Sequence, residues 1–123
     1  MRLAAEVPRF VLVGIGVTVL HAAVASLLVM FARVHPAAAN GMAFCVATLV
    51  SYASNTLWTF ERRLHRRLLV RFVLVSLAGF VLTVSIAGAV ELLGYPFYAG
   101  IGAVVMLVPA ASFAMHKLWT YRI

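Results

Sequence analysis

The sequence predicts an all-α integral membrane protein: four transmembrane helices built from two tandem two-helix repeats, with both termini cytoplasmic. Three observations predict it. The 123-residue chain is 65% hydrophobic and 11% charged, where a soluble domain carries about 25% charged residues. Its charges bracket four long apolar runs. The second half of the chain repeats the landmarks of the first.

Composition rules out water as the solvent. Mean hydropathy is +1.08, and a small soluble fold leaves too much surface exposed to hide that much apolar side chain. A single domain over 1–123 is expected, with repeat one at about 9–61 and repeat two at about 71–122. The single Cys45 excludes an internal disulfide and offers no redox pair or metal spacing. A net charge of +7 would suggest nucleic acid in a soluble protein; here its placement matters more, and no nucleic-acid partner is expected.

The repeat rests on two pairs of markers. Ser51-Tyr52-Ala53-Ser54-Asn55-Thr56-Leu57-Trp58-Thr59-Phe60 is echoed 61 positions later by Ser112-Phe113-Ala114-Met115-His116-Lys117-Leu118-Trp119-Thr120-Tyr121. Arg9-Phe10-Val11-Leu12-Val13 returns after 62 positions as Arg71-Phe72-Val73-Leu74-Val75. Two markers in the same order and at nearly one offset indicate a duplicated unit.

In chain order, Pro8 suits the first turn of a helix, where its missing N–H costs nothing. The run from Phe10 to Ala32 has no charge between Arg9 and Arg33, and its 23 residues make roughly 35 Å of helix, enough to cross a bilayer. That is longer than the ~7–15-residue core of a signal peptide, and its internal twin argues against removal. Arg33-Val34-His35-Pro36 is a tight connection. The second run, Pro36 to Phe60, places Ala43, Ala47, Ser51 and Asn55 at four-residue steps on one face, as helix packing in lipid requires. Glu61 to Arg71 reads as an aqueous loop, with room for a short amphipathic turn on the headgroups. The third run extends from Phe72 to Val90. Gly94-Tyr95-Pro96-Phe97-Tyr98 then makes a turn rich in interfacial aromatics. The fourth run ends at His116 and contains Pro109, where a kink is expected.

Charge sets the orientation. In a four-span layout Arg2, Arg9, Arg62, Arg63, Arg66, Arg67, Arg71, Lys117 and Arg122 share one side, and Arg33 stands alone on the other. The positive-inside rule puts the nine in the cytoplasm. With two spans per repeat the halves run in one direction, so a pseudo-axis would lie along the membrane normal.

No enzyme is expected. The three acids, Glu6, Glu61 and Glu91, are dispersed at the ends of apolar runs. No nucleophile stands beside a base, no phosphate loop is present, and the four histidines lack metal spacing. Neither a cofactor nor a metal is called for. What remains is a pair of polar patches at one depth: Ser51 and Asn55 with Trp58, Arg62 and Arg63, and Ser112 and His116 with Lys117 and Trp119, with Arg9 and Arg71 at the same level. Arginine forks bind phosphate oxygens, Asn and Ser add donors, and Trp stacks or anchors at the interface. These eleven residues form a candidate site for a lipid-phosphate or sugar headgroup. They fit equally a topology signal, an aromatic belt and interhelical hydrogen bonds. His21, in the middle of span one, is a further possible intramembrane polar site; its counterpart is Thr83, and a structural role suits a neutral, hydrogen-bonded imidazole.

Arg9-Phe10-Val11-Leu12-Val13-Gly14, the stretch from Ser51 to Phe60, and Leu118-Trp119-Thr120-Tyr121 together resemble the GtrA-like family of small four-span bacterial membrane proteins, over nearly the whole chain. The resemblance implies a place in cell-surface polysaccharide synthesis and the movement of a polyprenyl-phosphate-linked sugar, such as undecaprenyl-phosphate glucose, across the cytoplasmic membrane. It carries over Asn55, Trp58 and Phe60 from the span-two signature, and Arg9 with Gly14 from the start. His21 stands where relatives often show an acid, and Ser51 where Asn or another polar group is expected. The partners implied are that lipid-linked sugar, membrane lipids and a membrane glycosyltransferase. Four spans enclose little interior, so a homo-oligomer, a dimer, is expected, with Gly14, Gly16, Gly79, Gly88, Gly100 and Gly102 available for close packing. The alternative function is a scaffold that anchors the glycosyltransferase through the Arg-rich segment 61–71 and transports nothing.

Overall fold

The computed structural model describes residues 3–122, in which there are four α-helices and no strand. Helix α1 is Leu3–Met30, α2 is Pro36–Ser54, α3 is Arg66–Leu92 and α4 is Phe97–Met115. Helices α2 and α4 each continue into a five-residue π-helical turn, Asn55–Thr59 and His116–Thr120. The chain divides into two compact units, Met1–Leu64 and His65–Ile123. Each is a helical hairpin closed by a π-turn.

Leu3–Met30, Arg66–Leu92 and Tyr98–Thr120 are long and apolar enough to cross a membrane. Helices α2 and α4 each have 19 residues before their π-turns. The outward faces carry large apolar side chains, among them Val19 at 64%, Val81 at 62% and Met106 at 75% exposure. In water such surfaces would aggregate; in lipid they are solvated.

The inward faces are built from small residues and a repeating seam. In unit one, Ala39, Ala43, Ala47, Asn55 and Thr59 are buried at steps of four or eight, with Ala39 and Ala43 at 0% exposure. They lie along α1, whose buried positions include Glu6, Val13 and Ala25. In unit two the buried positions are Leu68, Phe72, Val75 and Gly79 on α3, facing Gly100, His116 and Thr120. Leu68 and Val75 stand 62 places after Glu6 and Val13, and Gly100, His116 and Thr120 stand 61 after Ala39, Asn55 and Thr59. Spacings of three and four keep each seam on one side of its helix.

Several expected boundaries move. Helix α1 starts at Leu3 rather than near Phe10, because Leu3, Ala4 and Ala5 are strong helix formers and Glu6 suits the positive end of the helix dipole. Pro8 therefore sits in the second turn, where it forfeits only the bond to the Ala4 carbonyl. The segment 61–71 is not one loop. Helix α3 begins at Arg66, capped by His65, whose Nδ1 accepts a hydrogen bond from the Arg67 N–H at 3.0 Å. The link is thus reduced to a few residues up to His65. Helix α4 runs on through Pro109. Arg2, counted in the charge argument, lies outside the described residues.

The hairpin turns are closed by left-handed residues. Gly94 takes φ 83° at the end of α3, where its N–H bonds Glu91 O at 3.0 Å and the Tyr95 N–H bonds Val90 O at 3.2 Å. This double closure satisfies carbonyls left open at a helix end. Arg33 and Glu61 adopt φ 55° and 51° at the ends of α1 and the first π-turn, a conformation that costs a side chain about 1–2 kcal/mol.

The glycines divide between two roles. Gly79 and Gly100 are used inside unit two: a Cβ on Gly79 would lie 3.5 Å from Ser112 Oγ, and one on Gly100 would lie 3.7 Å from Ala87 Cα. Of the six glycines expected at a packing face, Gly14, Gly16, Gly88 and Gly102 face open space. Gly100→Ala should fit and raise stability slightly, since the added methyl meets ordinary contact distances and helical Gly costs roughly 0.5–1 kcal/mol against Ala. Gly100→Leu should instead lose about 1–3 kcal/mol through overpacking. Unfolding of the two variants in detergent micelles checks the opposite signs.

Candidate functional site

Each unit places an arginine from its first helix against the π-turn that ends its second. In unit one, Arg9 Nη1 donates to the Trp58 carbonyl at 2.9 Å, and its guanidinium lies 5.3 Å from the centre of the Trp58 ring. In unit two, Arg71 Nη1 donates to the Trp119 carbonyl at 2.8 Å and to the Arg122 carbonyl at 3.2 Å, again 5.3 Å from the Trp119 ring centre. A helix end leaves carbonyls without donors, and a cation there also complements the negative end of the dipole. The π-turn arises because its closing bonds span five residues: Phe60 N–H to Asn55 O at 2.8 Å, and Tyr121 N–H to His116 O at 2.9 Å.

Behind each clasp is a buried polar ladder. Asn55, at 2% exposure, donates from Nδ2 to Ser51 Oγ at 3.1 Å, and its Oδ1 accepts from the Thr59 hydroxyl at 2.8 Å. In unit two, His116 Nδ1 and Thr120 Oγ1 are 3.0 Å apart, and the imidazole stacks on Phe72 with ring centres 4.3 Å apart and planes 14° from parallel. Tyr121 tilts against the same imidazole at 6.1 Å, while its counterpart Phe60 meets Phe10 edge-on at 6.4 Å. Asn55 and His116 are thus buried, at 2% and 3% exposure, and each is hydrogen-bonded inside its own π-turn.

The predicted residues therefore fall into three groups. Arg9 with Trp58, and Arg71 with Trp119, are brought together, and both indoles remain nearly half exposed, at 45% and 44%. Arg62 and Arg63 are exposed just beyond the first π-turn, and Lys117 is half-buried in the second. Asn55 and His116 are buried, and Ser51 and Ser112 are half-buried beside them: Ser51 is bonded to Asn55, and Ser112 lies against Gly79. His21 is separate from all of these. Its Nε2 lies 3.2 Å from Asn40 Oδ1, a bond between α1 and α2, and its counterpart Thr83 instead bonds the Gly79 carbonyl within its own helix at 2.8 Å.

Thr59, Thr120, Phe72, Asn40 and Glu61 join the site without a signal in the sequence that assigns them to it. Thr59 and Thr120 belong to the repeated Leu-Trp-Thr, but nothing in composition marks them as fully buried ladder ends. Glu61 breaks the symmetry of the two clasps. Its carboxylate lies 3.6 Å from Arg9 Nη1, whereas 61 places later the chain has Arg122.

Long apolar helices with lipid-ready faces, ending in clustered arginine and tryptophan, define a multi-pass helical membrane protein. Over residues 9–121 the chain matches the family described as GtrA/DPMS, transmembrane domain, and it belongs to that family. Membership places it among membrane proteins of glycosylation or lipid-linked sugar processes. No curated protein matches the chain, and no solved structure does.

Replacing Arg71 by Met keeps the apolar stem and removes both carbonyl bonds. Arg71→Met and Arg9→Met should each destabilise the fold by about 1.5–3 kcal/mol, the range for hydrogen bonds to charged groups. Asn55→Ala should cost a similar amount by leaving Ser51 and Thr59 without their partner. Denaturant titration in micelles, followed by helical circular dichroism, measures all three.

Proposed function

We propose that the chain is a carrier that moves a polyprenyl-phosphate-linked sugar from the cytoplasmic to the outer leaflet of the cell's cytoplasmic membrane, for glycosylation of a cell-surface polysaccharide. It crosses the membrane four times as a duplicated two-helix unit, with both termini and the link before α3 in the cytoplasm. It works as a homodimer without chemistry of its own. The observation that carries the reading is the collection of Arg, Lys and half-exposed Trp at the π-turn end of each apolar hairpin. A lipid whose head bears phosphate and sugar meets there both a guanidinium and an indole face.

The duplication is supported by two clasps, two ladders and two seams at one offset. Orientation is supported by the crowding of cations at the clasp ends and the position of Arg33 in the opposite hairpin turn. The headgroup-facing set shrinks to Arg9, Trp58, Arg62, Arg63, Arg71, Lys117 and Trp119, with Ser51, Asn55, Ser112 and His116 behind it as support. Bulk movement of a phosphate through hydrocarbon is costly, so the polar surface of the carrier lowers a barrier that a downhill sugar-lipid gradient then drives across. A glycosyltransferase on the cytoplasmic side is the partner that supplies the lipid.

The exposed pair Arg62 and Arg63, in a short link rather than a long loop, also suits a scaffold that recruits that enzyme. Reconstituted vesicles separate the two readings. Purified protein should speed transbilayer movement of a short-chain polyprenyl-phosphate glucose at least tenfold over protein-free vesicles. A protein that captures the glycosyltransferase, loses it on reversal of Arg62 and Arg63, and leaves lipid movement at the background rate is a scaffold.

A further inference from the structure

The two clasps differ in charge, and the difference points to where a phosphate binds. In unit one Arg9 has Glu61 beside it. In unit two no carboxylate pairs with Arg66, Arg67 or Arg71 among the described residues, and the residue in the place of Glu61 is Arg122. The carbonyl of Arg122 takes the second bond from Arg71 Nη1. Unit one neutralises its clasp internally; unit two adds positive charge to its own.

That charge lines a groove. A cleft of about 650 Å³ opens beside His65, Arg66, Arg67, Arg71 and Trp119, with Val70 and Leu74 as its apolar lining. Arg67 and Arg71 are one helical turn apart and so share a face. Arg71 is already oriented, because Nη1 is held by two carbonyls while Nη2 and Nε have no partner among the described residues. Three like charges this close repel one another, and an anion between them relieves the repulsion while a planar guanidinium supplies paired donors. The indole of Trp119 and the aliphatic side chains give the groove the wall an amphiphile needs, which a site for free phosphate does not.

We propose that this groove in unit two binds the phosphate of an anionic lipid, and that the corresponding end of unit one does not. The assignment rests on the proposed function for the lipid's identity and goes beyond it by choosing one of two equivalent ends. Arg66, Arg67 and Arg71 hold the phosphate oxygens. Val70, Leu74 and Trp119 take the first methylenes of the chain.

The test is direct binding of farnesyl phosphate, a phosphate on an isoprenoid chain, to the full-length protein in phosphatidylcholine nanodiscs. Saturable binding is expected, with farnesol and inorganic phosphate each at least tenfold weaker. Arg67→Gln should weaken binding tenfold or more. Arg122→Glu puts a carboxylate at the sequence position that corresponds to Glu61 and keeps the backbone carbonyl, and it should have the same effect. Arg33→Glu makes the same charge change in the opposite hairpin turn and should alter affinity less than twofold. Circular dichroism shows that each variant is folded. Equal losses in Arg122→Glu and Arg33→Glu would overturn the site in favour of bulk charge. So would farnesol binding as tightly as its phosphate, or displacement by equimolar inorganic phosphate. Wild-type protein that moves lipid-linked sugar but does not bind the probe removes this site and keeps the carrier. Binding with the expected variant profile, and no lipid movement, does the reverse.

Discussion

A carbonyl at the end of a helix, close to the hydrocarbon, needs a donor that water supplies poorly, and in this chain an arginine from the neighbouring helix is that donor. The bonds from Arg9 to the Trp58 carbonyl and from Arg71 to the Trp119 carbonyl fix more than a helix end. They set which end of the first helix in each hairpin meets which end of the second. They also bring a guanidinium and an indole to one level, with the remaining cations beside them. Loss of the guanidinium would leave each of these carbonyls without its charged donor, a bond worth about 1.5–3 kcal/mol.

Behind the clasp, the packing follows from the solvent. Lipid offers no hydrophobic drive for helix association, so the seams use Ala, Gly and hydrogen-bonded polar groups in place of large apolar knobs. Ala39, Ala43 and Ala47 let α1 and α2 approach, and Asn55 with Thr59, or His116 with Thr120, closes each seam near its basic end. Threonine and serine elsewhere, such as Thr18 and Thr83, bond carbonyls of their own helices, at 2.7 Å and 2.8 Å, which leaves few polar groups facing lipid. The two hairpins can then differ at the surface without disturbing their seams. Glu61 stands at the rim of one and Arg122 at the rim of the other, and the clasp is present in both.

Much of the architecture was legible in the sequence because bilayers force charge to the ends of helices. Arg9, Arg33 and Glu91 bracket apolar runs that are helical in the structure, and the Arg-Phe and Leu-Trp-Thr markers fall at the ends that the arginine–carbonyl bonds join. The start of α3 was not legible, since hydropathy treats Arg66 and Arg67 as loop while helix propensity favours them. The π-turns were invisible to an argument built on a period of 3.6, which assumes every bond closes over four residues. Of the candidate site, the residue types were legible in the sequence and their depth was not. Asn55 and His116 have the chemistry of ligands, yet their exposures of 2% and 3% come from seam packing that only the fold reveals. Asn40 had no signal at all: its link to His21 joins two helices through a face that no motif marked.

The π-turns let each second helix hold one residue more than an α-helix of the same reach. A bond closed over five residues takes in one residue beyond an α-turn closed over four. In an unbroken α-helix that extra residue would rotate everything after it by about 100° around the axis; a widened turn absorbs it, and the aromatic that follows keeps its facing. Each hairpin thereby gains a residue at its basic end, where the indole's carbonyl meets the arginine, with no change of register in the seam behind it.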